Sequence, residues 1–259
     1  MLALLLAQAL ATNPAAAVEL RRFSAAEAHQ GAAAGPRSVY AIDNSRIGRY
    51  DKASGRRLSG WSGDPVQFKH INSCMVRARR LVCALSNYPD VPMASKILWL
   101  DAKTLKLERV RELEAEFGSL TWIDWRNGSW WACFAHYDGK GGELGRDHRH
   151  TVLVRYQPDF KVLNVYQFPS TVLTQFAPRS SSGGAWGSDG FLYVTGHDRP
   201  ELYVLRIPRK GHVLKHVATI ATSTGGQAIG WDPGKPRLLW SIDRSTSELV
   251  VSQVPEISR

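Results

Sequence analysis

The sequence predicts an all-β protein, a β-propeller of five four-stranded blades. Three observations carry that prediction. Short apolar runs alternate with turn residues along most of the chain, and helical periodicity is nearly absent. A unit opening on a small or polar segment rich in Gly, Ser and His recurs, as EAHQGAAAG, FKHINSCMV, GSLTWIDW, SGGAWGSDG and GGQAIGWDPG. With His29, His70, Ser119, Gly184 and Gly226 as landmarks, the spacings are 41, 49, 65 and 42 residues. That is the period of propeller blades, and an irregular β-sandwich does not produce such openings.

The elements follow in order. Leu2–Ala11 is an apolar stretch followed by small residues, which reads as a secretory signal cleaved after Ala17, although no basic residue precedes Arg21. Residues 1–17 are therefore expected to be a signal peptide, residues 18–259 a single domain, and the protein periplasmic or secreted. The ten-residue stretch is too short to span a bilayer as a helix, so no membrane span is expected. VELRRF, Val18–Phe23, precedes the first opening. The last unit shows only three strands, ending in ELVVSQV, so VELRRF is free to supply its fourth.

The first unit continues with SVYAIDN and RIGRYD. In the second, Cys74 and Cys83 flank MVRARRLV, which reads as a tight hairpin. A two-residue turn at Ala78-Arg79 gives the pairs 77–80, 76–81, 75–82 and 74–83. The two cysteines then face each other within bridging reach, as a disulfide or as two small core thiols. LDAKTLKLERVRELEAEF hints at a helix at its ends but reads equally well as two strands. The third unit holds SWWACFAHY, with Cys133 as an inert core thiol, and two insertions at 138–150 and 170–182. FLYVTGH and LYVLRIP belong to the fourth unit, RLLWSID and ELVVSQV to the fifth.

In a propeller, the beginnings of the innermost strands and the loops between second and third strands share one face. Four of the eight histidines fall there: His29, His70, His136 and His197. His70, His136, His197 and Asp198 are the candidate catalytic groups, as imidazoles that titrate near neutrality with a carboxylate to orient them. His29, Gln30, Asn72, Asn87, Tyr88, Trp122, Tyr137, Trp186, Gln227 and Arg244 are the candidate ligand-binding groups, since aromatics beside convergent polar side chains suit a small-ligand pocket. No metal or cofactor is expected. Four imidazoles could hold a metal, but two lie on opening strands and two on second strands, at different radii. There is no G-x-S-x-G, P-loop, dinucleotide fingerprint or CxxC pair.

The charge is +10, from 33 Lys and Arg against 23 Asp and Glu, and it is scattered along the chain. That reads as a solvated basic surface, not a nucleic-acid stripe. An anionic ligand drawn to the channel mouth by Arg199 and Arg244 is compatible with it. The expected partner is thus a small molecule, with no nucleic acid, and the chain is expected to act as a monomer.

The openings, together with SNYPDVPMAS, GSLTWIDW, FAHYDGKGGE and SGGAWGSDGFLYVTGHD, resemble a group of small secreted β-propellers often labelled cycloisomerase-like, over most of residues 25–255. More distantly, the chain is similar to the five-bladed glutamine cyclotransferases, which convert N-terminal glutamine to pyroglutamate. Their first blade opens on an x-Gln-Gly segment, echoed by His29-Gln30-Gly31. Their following strand carries a catalytic glutamate, and the stretch here is Tyr40–Asn44, so that chemistry would require Asp43 to substitute. The resulting expectation is a protein that binds a sugar, lactone or related acid at the channel mouth. As an enzyme it would use metal-free acid–base chemistry of lyase, isomerase or cyclising type. The alternatives are a non-catalytic binding or scaffold propeller and a cyclotransferase-like acyltransferase.

Overall fold

The computed structural model describes residues 15–258. Its first strand, β1 (Val18–Ser24), leads into β2 (Gly31–Ala34), β3 (Ser38–Asp43), β4 (Arg46–Asp51) and β5 (Arg57–Ser62), which form blade one. Blade two is β6 (His70–Arg77), β7 (Arg80–Ser86), β8 (Ser95–Asp101) and β9 (Leu107–Leu113). Blade three is β10 (Ser119–Arg126), β11 (Ser129–Ala135), β12 (Val152–Tyr156) and β13 (Val162–Gln167). The helix α1 (Ser170–Phe176) follows. Blade four is β14 (Gly183–Trp186), β15 (Leu192–Thr195), β16 (Glu201–Arg206) and β17 (Lys215–Ala221). Blade five takes β18 (Gly230–Trp231), β19 (Leu238–Asp243) and β20 (Glu248–Gln253), with β1 as its outer strand.

The five four-stranded sheets and their order match the sequence reading. β1 pairs antiparallel with β20, Val18 opposite Gln253 and Ser24 opposite Glu248. This closes the ring and covers an edge of hydrogen-bonding groups that would otherwise template aggregation. The pairing reaches further: Ala17 N donates to Ala221 O at 2.8 Å and Ala221 N to Ala15 O at 2.9 Å. Cleavage after Ala17 would remove this bridge. The rest of the expected signal segment lies outside the described residues.

The runs look continuously apolar because each blade buries both of its faces. On β7, Leu81, Cys83 and Leu85 pack toward blade one, while Val82 and Ala84 pack toward blade three. On β11, Trp130, Ala132 and Phe134 pack toward blade two, and Trp131 and Cys133 toward blade four. The period-two alternation of a strand is present, but it separates two neighbours instead of core from solvent. The hydrophobic interior is accordingly divided into wedges between adjacent blades.

The hairpin of blade two has the expected register, Arg77 opposite Arg80 and Cys74 opposite Cys83, and the two cysteines form a disulfide. Cys133 is free and buried, and burial pushes its thiol up to about 12. The insertion at 170–182 is partly helical: Val172 and Phe176 of α1 bury in the wedge between blades three and four. Around the axis two glycines of the innermost strands leave no room for a side chain. A Cβ on Gly31 would lie 2.3 Å from the Ala228 Cβ, and one on Gly183 would lie 2.5 Å from Gln227 O.

Candidate functional site

One mouth of the channel opens into a pocket of about 170 Å3. Every blade contributes to it. Gln30 precedes β2, His70 and Asn72 lie on β6, Thr121 on β10, Ser182 at the start of blade four, and Gln227 just before β18. Tyr88, Tyr137, His197 and Arg244 come from the loops between second and third strands, and Arg179 and Ser180 from the second insertion.

Two local irregularities aim the inner residues. The β6–β7 register shifts between Ile71 and Ser73, and the β10–β11 register shifts between Leu120 and Trp122. Asn72 and Thr121 are the extra residues. A bulge leaves its extra residue unpaired and re-aims its side chain, so each turns to the pocket. Asn72 Nδ2 then donates to Leu120 O at 2.8 Å and Ser86 Oγ at 3.0 Å, binding blade two to blade three. Its Oδ1 accepts no hydrogen bond among the described residues. Gln227 Nε2 donates to His197 O at 3.2 Å, and Gln30 Nε2 to Asn44 Oδ1 at 3.1 Å.

An aromatic wall rises beside these groups. The rings of His70 and Tyr88 lie 5.1 Å apart and those of Tyr88 and Tyr137 5.0 Å apart. Arg179 Nη1 donates to the Tyr88 hydroxyl at 3.0 Å. Burial raises the Tyr137 phenol above its ordinary range, so it stays a neutral hydrogen-bonding group.

His197 is held from both sides. Its Nδ1 lies 2.5 Å from Asp198 Oδ1 and its Nε2 3.4 Å from Arg244 Nη1. An N–H on Nδ1 facing the carboxylate leaves the Nε2 lone pair toward the guanidinium. His70 is pushed down to about 4, first by burial and then by the charges of Arg244 and His197. It is therefore a neutral imidazole at ordinary pH. No carboxylate lines the pocket among the described residues, while Arg179 and Arg244 both do.

The remaining expected residues lie elsewhere, each for a visible reason. Asp198 orients His197 from outside the pocket and is exposed. His136 is 2% exposed beneath the first insertion, 3.9 Å from Glu143, and does not reach the mouth. His29 turns between blades one and five, its Nε2 3.2 Å from Ser247 Oγ. Asn87 braces its own loop through Pro92 O and Ala94 N. The bulge at Thr121 sends Trp122 away from the axis, where it is buried and donates to Ser181 Oγ at 2.9 Å. Trp186 ends the strand that Gly183 begins, so it lines the opposite mouth. Arg199, expected to draw an anion inward, is not among the residues lining the pocket, whereas Arg179 is. Arg179 and Ser180 were hidden in an insertion whose path the repeat does not specify. Thr121 and Ser182 stood beside the expected aromatics, and only the bulge selects the threonine.

Asp43, the residue that cyclotransferase chemistry would need, is paired with Arg46 at 2.5 Å and does not line the pocket. Asp138, Asp147 and His148 bring ligand atoms within 4.8 Å of one another in the first insertion. They are already engaged: His148 Nδ1 lies 2.7 Å from Asp138, and Asp147 caps the following turn and pairs with Arg149. No helix among the described residues is long and apolar enough to cross a membrane.

No family model matches the chain, and no curated protein matches it. Among solved structures, the PQQ-bound form of aldose sugar dehydrogenase from Streptomyces coelicolor is 12% identical, over 93% of this chain and 98% of that one, with a TM-score of 0.53. A chain of the mitotic checkpoint complex is 11% identical over 99% of both, with a TM-score of 0.48. At such identity the first likeness supports the propeller fold alone.

Proposed function

We propose that the chain binds a small polar anion at the channel mouth, a sugar acid or a lactone that opens to one. The observation that carries this reading is the pair Arg179 and Arg244 in a pocket with no carboxylate lining it among the described residues. Guanidiniums without a local counter-charge favour a carboxylate, which they bind through paired N–H groups. Asn72, Gln30, Gln227 and Ser182 supply partners for hydroxyls, and Tyr88 and Tyr137 supply a face for a ring. At about 170 Å3 the pocket suits a monosaccharide-sized ligand.

A second reading, that the bound ligand also undergoes proton transfer, is favoured by the Asp198–His197 pair. Asp198 fixes the Nδ1 proton, so Nε2 is the basic atom. A ligand carboxylate that takes over Arg244 would release Nε2 to remove a proton beside that carboxylate. This is the first step of a lyase, isomerase or cyclising reaction. We also propose that the protein is exported and acts as a monomer. The Cys74–Cys83 bridge supports an oxidising compartment. Closure of the ring by β1 leaves no blade for a second copy to complete.

Calorimetric titration with galacturonate, gluconate and galactose tests the binding. The acids are expected to bind and the neutral sugar not to. The double variant R179Q/R244Q should lose at least about tenfold in affinity, or ~1.4 kcal/mol. Equal binding of galactose, or an unaffected variant, would overturn the assignment.

A further inference from the structure

We infer that the cleft between blades two and three, on the side away from the mouth, is a second binding site, and that it takes a carboxylated polysaccharide. Four aromatic rings form its floor. Trp130 and Phe160 stack at 5.5 Å and 12°, Trp99 lies 6.1 Å from Phe160, and Trp125 lies 4.7 Å from Trp130. Three arginines lie on this floor. Arg77 sits 4.0 Å over Trp125, Arg109 4.9 Å over Trp99 and Arg111 4.7 Å over Phe160. The strand period explains the last two. Arg109 and Arg111 are two residues apart on β9 and point to the same face.

These guanidiniums have no acidic partner among the described residues. Three of the neighbouring acids are taken, Glu108 by Arg80 at 2.7 Å, Glu112 by Lys96 at 2.9 Å and Asp101 by the backbone and hydroxyl of Thr104, while Glu114 and Glu116 lie toward Tyr156. Each guanidinium sits over a ring, which leaves N–H groups for an incoming anion. A cavity of about 370 Å3 opens beside Arg77, walled by Arg79, Arg80 and the already engaged Asp101 and Glu108, with Trp99 and Trp130 beneath.

The same geometry selects the partner. Trp99 and Trp130 are 7% and 5% exposed, and the arginines cover much of what remains. Trp125 and Phe160 are half-buried, with Arg77 and Arg111 over them, so nucleic-acid bases would find few open ring faces for the stacking that single-strand binders use. A folded protein partner would want an exposed aromatic anchor at the centre of the patch, and the patch has none. A hydrated, flexible polymer needs only a row of anions. Planar carboxylates on a sugar chain meet the fork of each guanidinium through two parallel hydrogen bonds.

The probe is polygalacturonate, tested by fluorescence titration at 50 and 200 mM NaCl against single-stranded DNA and neutral dextran. Polygalacturonate is expected to bind at the lower salt, to weaken several-fold at the higher, and to quench tryptophan emission. The variant R77Q/R109Q/R111Q should lose at least tenfold while keeping the circular dichroism spectrum of the parent. R77K/R109K/R111K, which keeps the charge without the fork, should fall between the two. Equal binding by the glutamine variant overturns the site, as does absence of polygalacturonate binding at 50 mM NaCl. Tighter binding of DNA than of polygalacturonate at matched salt overturns the choice of partner.

Discussion

At the residue scale the mouth depends on one arginine acting on two histidines. Arg244 faces His197 Nε2 and also contributes to holding His70 down at about 4. In R244Q, the His70 titration should move up from about 4, yet stay below its ordinary 6.5, because burial is the larger cause and remains. Nuclear magnetic resonance of the ring protons reads this directly, and an unmoved His70 would separate the two residues electrostatically. The sign for stability follows. A folded-state value below the unfolded one means that the unfolded chain binds more protons, so this stabilisation is complete above about pH 6.5 and is lost as the pH falls toward 4. Residues are also where sequence reasoning was weakest. His70 and His197 were legible because they stand at corresponding strand ends. His136 stands at such an end too, but the insertion that follows folds over it, and no periodicity reports that. Trp122 and Thr121 are adjacent in the chain, and only a one-residue bulge decides which of them meets the axis.

At the element scale the hairpin of blade two is the piece most completely readable in advance. A two-residue turn fixes the register of every pair beneath it, and Cys74 opposite Cys83 followed from Ala78-Arg79 alone. Thiol titration of the unfolded, unreduced protein should therefore find one reactive cysteine, Cys133. Finding three would remove the bridge. C74S/C83S closes no loop in the unfolded chain and should cost roughly 2–3 kcal/mol, from the loop-closure entropy of so short a link, read as a lowered denaturant midpoint. The insertions were the opposite case. The one at 170–182 had no repeat to follow, yet its helix, fixed by Val172 and Phe176, delivers Arg179 and Ser180 to the mouth.

At the scale of the whole molecule, the propeller was legible because repetition at a fixed period is a global signal that survives local errors of strand boundary. The wedge packing also makes the blades interdependent, since each supplies half of two wedges. Removing residues 18–24 should therefore not cost one strand alone. It would uncover β20 along its full length and leave blade five incomplete, and the truncated protein should aggregate or unfold without a single cooperative transition. A monodisperse truncated protein with an unchanged melting temperature would show the closure to be dispensable.

The pairing of Val18 with Gln253 also sets an order in time. On a ribosome the outer strand of blade five emerges before the other strands of the ring and its partner after them, so β1 must wait through synthesis of all five blades. Contacts between residues so distant are slow to form, because the chain must lose loop entropy before they repay it. Blades one to four can assemble as their hairpins appear, but the ring is shut only once β20 has been made. Until then the wedges on either side of blade five stay open, and the last strand made decides when the ring becomes a single cooperative body.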